Sequence, residues 1–432
     1  MKETSSYMFS NKNNDFMRLT HIEFESYKTF STKEKVQIRP ITLVVGRNSS
    51  GKSALSKLPL LMANSFLPSS EEPISVHHNG VDFGGSFTDL IHNKYPHGSL
   101  KIKLFFSEKI QLSFEIQNIA NTPLQFIKTW SVSSPEFSAN FEIELKTENT
   151  LLKEELRYSD GGQIFLITFH GLIPVKIYTL NGESYQTDFF SNLANQLEIF
   201  ANGVEYIGPY RKIPSRIYFN SGRYPKRLGV MGENAPVILG TSSYTDDTVL
   251  KAVGDWYEKF LGGWRVEVVQ NANSFELALV KPHNPAVKVN VVDVGQGMSQ
   301  VLPLIVRCLT KNRPNEPITI IEQPELHLHP AAHGDLAELF ARKAKSEGSS
   351  FILETHSENF LLRIRRLVVE KILNPDDVII YWIDDLNDQG GKLKEIYVDE
   401  NGDISEWPKG VFSEDLEEVL AIRKAQRDAN AN

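Results

Sequence analysis

Two periods of apolar and polar residues run along this chain, and the switch between them marks out its parts. From Leu19 to Phe30, apolar Ile22 and Phe24 alternate with Glu23 and Glu25, the pattern of a half-buried strand. Val36 to Ile38 and Ile41 to Val45 read as further strands, and Ser53 to Leu61 as a helix that Pro59 should kink or shorten. Between 97 and 180, strand candidates crowd together at Leu100–Phe106, Ile110–Ile116, Phe141–Leu145, Ile164–Phe169 and Val175–Thr179. Turn residues separate them, which predicts an antiparallel β lobe.

Helical spacing returns at Phe189 to Gly203. A stretch rich in Gly, Pro and Arg follows, from Tyr206 to Asn234, and reads as loop. Thr248 to Gly262 predicts an amphipathic helix with Val249, Val253, Trp256, Tyr257 and Phe260 on one side. Trp264 to Val269 and Phe275 to Val280 read as a strand pair. The last third alternates: strand Val287–Val292, helix Ser299–Leu309, strand Ile318–Ile321, helix Ala331–Lys345, strand Phe351–Leu353 and helix Asn359–Lys371. That alternation predicts a parallel, helix-flanked sheet and an α/β fold. The expected parts are a loose leader over 1–17, an N-terminal half of an α/β head over 18–96, the β lobe over 97–185, a helical and loop insertion over 186–286, the second half of the head over 287–375 and a small extension over 376–432. No repeat and no sustained heptad run appears, which excludes a long coiled-coil arm.

Gly46-Arg47-Asn48-Ser49-Ser50-Gly51-Lys52-Ser53 fits the phosphate-loop pattern G-x-x-x-x-G-K-[ST], between a strand and a helix. Glycines let the backbone curl so that successive amides point at phosphate oxygens. The helix start adds partial positive charge. Lys52 would reach the β- and γ-phosphates of ATP and the Ser53 hydroxyl would ligate Mg²⁺. A Gly/Ser turn with a chance lysine would show the same letters, but not the flanking strand and helix.

Ile318-Thr319-Ile320-Ile321-Glu322-Gln323-Pro324-Glu325 has the form of a Walker B strand, which carries an acid to the sheet edge beside the phosphate loop. Glu322 there can hold Mg²⁺ directly or through water. A buried strand with an acidic turn is the bland alternative. The preceding phosphate loop and the βαβ pattern weigh against it.

These motifs continue into Glu325-Leu326-His327-Leu328-His329-Pro330 and Glu354-Thr355-His356-Ser357, and here the chain resembles bacterial ABC-type ATPases related to SMC proteins, repair ATPases and the overcoming-lysogenization-defect proteins. Val294-Gly295-Gln296-Gly297-Met298-Ser299-Gln300 is similar to the signature segment of one branch. Tyr206-Ile207-Gly208-Pro209 with Arg211 and Arg216, Gly232-Glu233-Asn234, and Asp399 to Pro408 are similar to that branch as well. The resemblance spans about 18 to 415. It implies a P-loop NTPase of ABC/SMC-head type that binds ATP and Mg²⁺, with Ser53 and Glu322 on the metal and His356 sensing the γ-phosphate. Gly295, Gly297, Ser299 and Gln300 would cap the nucleotide of a second copy, so that two heads sandwich two ATP molecules head to tail. It implies a separate effector as well, such as a nuclease or toxin in anti-phage defence, with double-stranded DNA as a candidate partner.

The chain departs from that pattern at one place. The usual Walker B pair is Asp then Glu, and here it is Glu322-Gln323. An amide accepts no proton, and loss of a general base lowers rates roughly 10²–10⁴-fold. Glutamine still orients water, and Glu325 and Glu354 are substitutes for the missing base, so slow hydrolysis is expected. No glutamine stands in 84–90, the best position for a Q-loop, and Asn93-Lys94-Tyr95-Pro96 lacks the aspartate of a guanine-reading motif.

Composition narrows the rest. The net charge of −8 argues against a globally basic nucleic-acid coat protein, though local basic clusters stand at 211–216, 223–227 and 363–366. No apolar run approaches the roughly 20 residues of a membrane span. The polar start Met1 to Asn14 and the lone Cys308 suit a cytoplasmic protein without a disulfide. His327 and His329 alternate as on an extended segment, without the further ligands a zinc site needs. A self-contained nuclease would need a metal domain after His356-Ser357; Asp384-Asp385 follows a strand-like run, but the tail is short. An SMC or repair-type DNA clamp is the alternative reading, weakened by the missing coiled coil. A transporter subunit fits the β lobe poorly.

Overall fold

The computed structural model describes residues 17–119, 122, 124–144, 156–220, 222, 224–311, 318–384, 391–406 and 421–426. The leader up to residue 16 lies outside them, as do Leu145, Arg223, Asp385, Trp407 and Pro408. The chain is an α/β protein, with a mixed central sheet flanked by helices, an antiparallel β lobe and a helical and loop insertion.

The central sheet has six strands in the order Val204–Ile207, Ile318–Glu322, Ser350–Glu354, Ile41–Gly46, Val378–Asp384 and Lys392–Ile396. The first five run parallel and the last is antiparallel. Runs such as Ile41, Leu43, Val44 and Val45 are buried throughout, as a sheet covered on both faces requires. Alternate residues feed two cores. Val44, Ile320, Ile352 and Tyr381 join one, while Leu43, Ile321, Leu353 and Ile380 join the other.

The helices are α1 (Lys52–Asn64), α2 (Asp188–Gly203), α3 (Ala235–Thr245), α4 (Thr248–Phe260), α5 (Gln296–Gln300), α6 (Leu302–Leu309), α7 (Pro330–Glu347) and α8 (Glu358–Val369). α1 and α2 cover the first face, and α3, α4, α6, α7 and α8 supply the second core. Pro59 does not shorten α1, which continues to Asn64. Leu55, Leu58, Leu61 and Met62 bury around it, and that packing outweighs the lost backbone bond. α7 ends on Gly348 with left-handed φ 67°, a glycine C-cap.

The β lobe is larger than 97–185. Nine antiparallel strands run from Ile173–Thr179 at one edge to Glu34–Gln37 at the other, and Leu19–Glu25 pairs directly with Ser99–Phe106. Alternation missed two of its strands, Gln125–Ser133 and Leu156–Asp160. The first pairs with Gln111–Asn118 across a bulge that breaks the period, and in the second only Tyr158 is buried. This sheet lies on α1 and α2 through Phe66, Phe106, Phe114 and Phe200.

Two strands sit elsewhere than expected. Val287 belongs to Asn284–Asn290, which pairs antiparallel with Ser274–Lys281 in a separate small sheet. Val204–Ile207, read as the edge of a loop, is a parallel strand beside Ile318–Glu322. Beyond residue 376 the chain also returns to the centre, because Val378–Asp384 lies against the phosphate-loop strand.

Candidate nucleotide site

The loop between Ile41–Gly46 and α1 takes positive φ at Gly46 (152°), Ser49 (64°) and Gly51 (104°). Such reversals turn successive amides toward one side, at the positive end of a 13-residue helix. Gly51 is needed twice over: its φ is left-handed, and a Cβ there would stand 2.5 Å from Thr29 Cγ2. Thr29 thus backs the loop, a contact no local pattern announces. Arg47, Asn48 and Ser49 are exposed, whereas Ser50 is fully buried with no partner for its hydroxyl among the described residues. Lys52 is buried as well, and its Nζ donates to the Arg47 carbonyl at 2.5 Å. Burial lowers the Lys52 pKa, against the pull of Glu354 and Glu322.

Glu322 and Glu354 end neighbouring parallel strands in register. The acid on Ser53 is Glu354 rather than Glu322. Ser53 Oγ donates to Glu354 Oε1 at 3.1 Å, and Ser56 Oγ donates to Oε2 at 3.4 Å. The strand carrying Glu354 lies between Ile41–Gly46 and Ile318–Glu322, so Glu322 stands one strand further from the phosphate-loop strand than Glu354 does. Glu322 accepts from the Tyr206 hydroxyl at 2.9 Å and pairs with Lys57 at 3.4 Å. Burial first, and the Glu322 charge second, push the Glu354 carboxyl up to about 7, partly offset by Ser53 and Lys52. Burial and Glu322 raise the Tyr206 phenol, which stays a donor.

Gln323 is half-buried and holds a left-handed φ of 45°. Its amide donates to the Glu354 carbonyl at 2.8 Å. Arg211 Nη2 donates to the carbonyls of Glu322 and Gln323 at 3.0 and 2.9 Å. Glu325 is buried, and its Oε1 accepts from the His356 amide at 2.7 Å. His356 stands exposed at the end of its strand, with an imidazole held below its usual range by partial desolvation and by Lys52. His333 joins the two loops, bonding Ser357 Oγ at 2.7 Å and the Leu328 carbonyl at 3.1 Å. His329 Nδ1 caps α7 by accepting from the Ala331 amide.

The signature residues divide. Gly295 is exposed with open space around it, while a Cβ on Gly297 would stand 2.3 Å from the His327 carbonyl. Ser299 and Gln300 are buried, and Ser299 Oγ donates back to the Gln296 carbonyl at 3.1 Å. Tyr257 holds the turn by donating to the Met298 carbonyl at 2.6 Å, and Arg216 grips Asp293 through two bonds. Beside this turn lies a cavity of about 240 Å³ that includes Lys212, Ile213, Tyr218 and Ser299. Tyr210, Ile213 and Phe219 stand on the surface with 80%, 74% and 76% exposure, unusual for side chains of their size.

The basic clusters are largely engaged within the chain. Arg211 is buried, Arg216 pairs with Asp293, and Arg227 donates to the Asn202 carbonyl. Arg363 pairs with Asp335 and Glu338, Arg365 donates to the Gly402 carbonyl, and Arg366 pairs with Glu370. No helix among the described residues is long and apolar enough to cross a membrane.

Residues 280–363 match a family described as "AAA domain, putative AbiEii toxin, Type IV TA system", and residues 373–422 match one described as a protein of unknown function (DUF3696). No curated protein matches the chain. Among solved structures it is similar to an SMC head bound to the C-winged helix domain of ScpA, at 14% identity and a TM-score of 0.47, over 88% of this chain and 98% of that one. An SMC head domain from Thermotoga maritima matches at 10% identity and a TM-score of 0.39, over 88% and 98%. An SMC head with an extended coiled coil, bound to a ScpA domain derived from Pyrococcus furiosus, matches at 12% identity and 0.47, over 95% and 100%.

Proposed function

We propose that this chain is an ABC-type ATPase that binds Mg²⁺–ATP, hydrolyses it slowly, and uses the bound nucleotide to gate a head-to-tail dimer that controls a separate effector. One observation carries the reading: the phosphate loop and two carboxylates from neighbouring strands converge on Ser53 and Lys52. The buried Ser50 hydroxyl, without a partner among the described residues, and the glycine cradle fit a triphosphate. The oxygen set of Ser53, Glu322 and Glu354 fits Mg²⁺, a hard cation. Ser53 and Glu322 would hold the ion, with Glu354 orienting the Ser53 hydroxyl. Bound there, Mg²⁺ would neutralise charge on the β- and γ-phosphates. Lys52 would exchange the Arg47 carbonyl for phosphate oxygens. His356, beside Lys52, would meet the γ-phosphate, and Gln323 would orient water for ATP + H₂O → ADP + phosphate.

The dimer reading draws on exposed Gly295 and on the uncovered Tyr210, Ile213 and Phe219, of which Ile213 shares a cavity with Ser299. The toxin–antitoxin wording of the family matched over 280–363 supports a defence setting, with a nuclease or toxin as effector. The engagement of most clustered arginines leaves DNA a secondary partner. Calorimetry with Mg²⁺–ATP, phosphate release and light scattering test the reading together. Saturable heat, slow release and a doubled mass are expected. No heat with folded protein overturns it.

A further inference from the structure

The Glu322–Gln323 corner is held by a side chain from a distant loop. Arg211 is only 4% exposed, and one of its nitrogens bridges the carbonyls of Glu322 and Gln323. Its Nε and Nη1 have no hydrogen-bond partner among the described residues, and neither does Glu325 Oε2. A buried guanidinium with open donors is costly to keep, by roughly 1–3 kcal/mol for each unmet polar group. Such a group is retained where it fixes something else in place.

Gln323 is what it fixes. A non-glycine residue at φ 45° is uncommon and disfavoured. Three bonds hold it there: its amide to the Glu354 carbonyl, its own carbonyl to Arg211, and the same carbonyl to the Leu326 amide at 3.1 Å. The first ties it to the strand that serves Ser53, and the second to the loop that carries Arg216 and so reaches the signature turn through Asp293. The Glu325 charge balances Arg211 and also holds the His356 amide.

We propose that Arg211 is the positioning residue of the site: by bridging the two carbonyls it locks Gln323 in its left-handed conformation and so sets where the Gln323 amide meets water. This deepens the reading of the chain as an ATPase and rests on it. Arg211 touches no reacting atom and acts through Gln323.

Arg211→Lys tests this, because lysine keeps the charge opposite Glu325 and loses the planar fork. The variant should hold Mg²⁺–ATP within about threefold of the parent affinity (a difference under ~0.7 kcal/mol) and turn over at least tenfold more slowly. In a Gln323→Ala background the same change should alter turnover less than twofold, since the group it positions is gone. Deuterium exchange over the 322–328 peptide, without nucleotide, should quicken in Arg211→Lys, while Ile318 to Ile321 stays protected. Parent-like turnover, an equal loss in both backgrounds, or a parallel loss of nucleotide affinity each overturn the proposal. If Arg211→Lys does not fold, Gln323→Gly against Gln323→Ala decides: glycine accepts the left-handed backbone and should melt no lower than alanine. A lower melting point for glycine removes the enforced conformation and the proposal with it. Absence of all turnover in the parent would sink the ATPase reading instead, and the exchange measurement would still report on Arg211.

Discussion

Ser53 gives its one hydroxyl proton to Glu354, 3.1 Å away, and that bond pins the first turn of α1 to the strand beside it. Both Ser53 lone pairs are thereby left facing away from the carboxylate, where a cation would need them. Glu354 is 5% exposed and stands in register with Glu322, so two acids share one desolvated corner.

That crowding makes the nucleotide-free fold sensitive to pH. The Glu354 carboxyl titrates near 4.5 when unfolded and near 7 when folded. Between those values the folded chain holds more protons than the unfolded one, so this group's contribution is full below 4.5, falls as pH rises, and levels off above 7. At 1.36 kcal/mol per unit, the loss is on the order of 3 kcal/mol. Urea midpoints in EDTA at pH 5 and pH 8 should differ clearly less for Glu354→Gln than for the parent. An unchanged difference refutes the assignment.

Lys52 separates binding from folding. Among the described residues its ammonium bonds only the Arg47 carbonyl of its own loop. Lys52→Ala should leave the melting temperature within a few degrees of the parent. Affinity for Mg²⁺–ATP should drop by at least roughly tenfold, since a hydrogen bond to a charged group contributes about 1.5–3 kcal/mol. Calorimetry beside a thermal melt reads both.

Much of this was legible from the sequence where the signal is local. The phosphate loop, the buried acid strand and α7 with its Gly348 cap lie where spacing and turn chemistry place them. What escaped depends on partners far along the chain. Which acid meets Ser53 depends on strand order, and no period encodes that Ser350–Glu354 lies between the phosphate loop and Ile318–Glu322. Thr29 behind Gly51, Tyr206 on Glu322 and Arg211 under Gln323 are contacts across 22, 116 and 112 residues, outside any motif window. The nine-stranded sheet was under-read because a bulge and a mostly exposed strand weaken alternation.

The two signature glycines should fail in different ways. Gly295 has open space around it, so Gly295→Arg should fold and bind nucleotide normally yet block ATP-induced dimerisation. Gly297 faces the His327 carbonyl, and Gly297→Ala should destabilise the single chain, by roughly 1–3 kcal/mol as overpacking does. Light scattering with ATP and denaturant midpoints without it distinguish the two. A dimer that persists in Gly295→Arg removes this turn from the interface.

Gln323→Glu bears on why hydrolysis is slow. The backbone at 323 is held through its own amide and carbonyl, so a glutamate there inherits the same placement. Its carboxylate would supply the proton acceptor that the amide lacks, and an added general base is worth roughly 10²–10⁴-fold in rate. Two nearby acids work against part of that gain. Glu322 and Glu354 repel a new charge, and Glu325 already holds the His356 amide. The expected result is a rise of at least roughly tenfold over a parent that turns over below about 10 s⁻¹, with the ATP-bound dimer shorter-lived. Phosphate release at saturating Mg²⁺–ATP measures it. A rate unchanged by the glutamate would place the proton acceptor elsewhere and leave Glu354 as the side chain to test next.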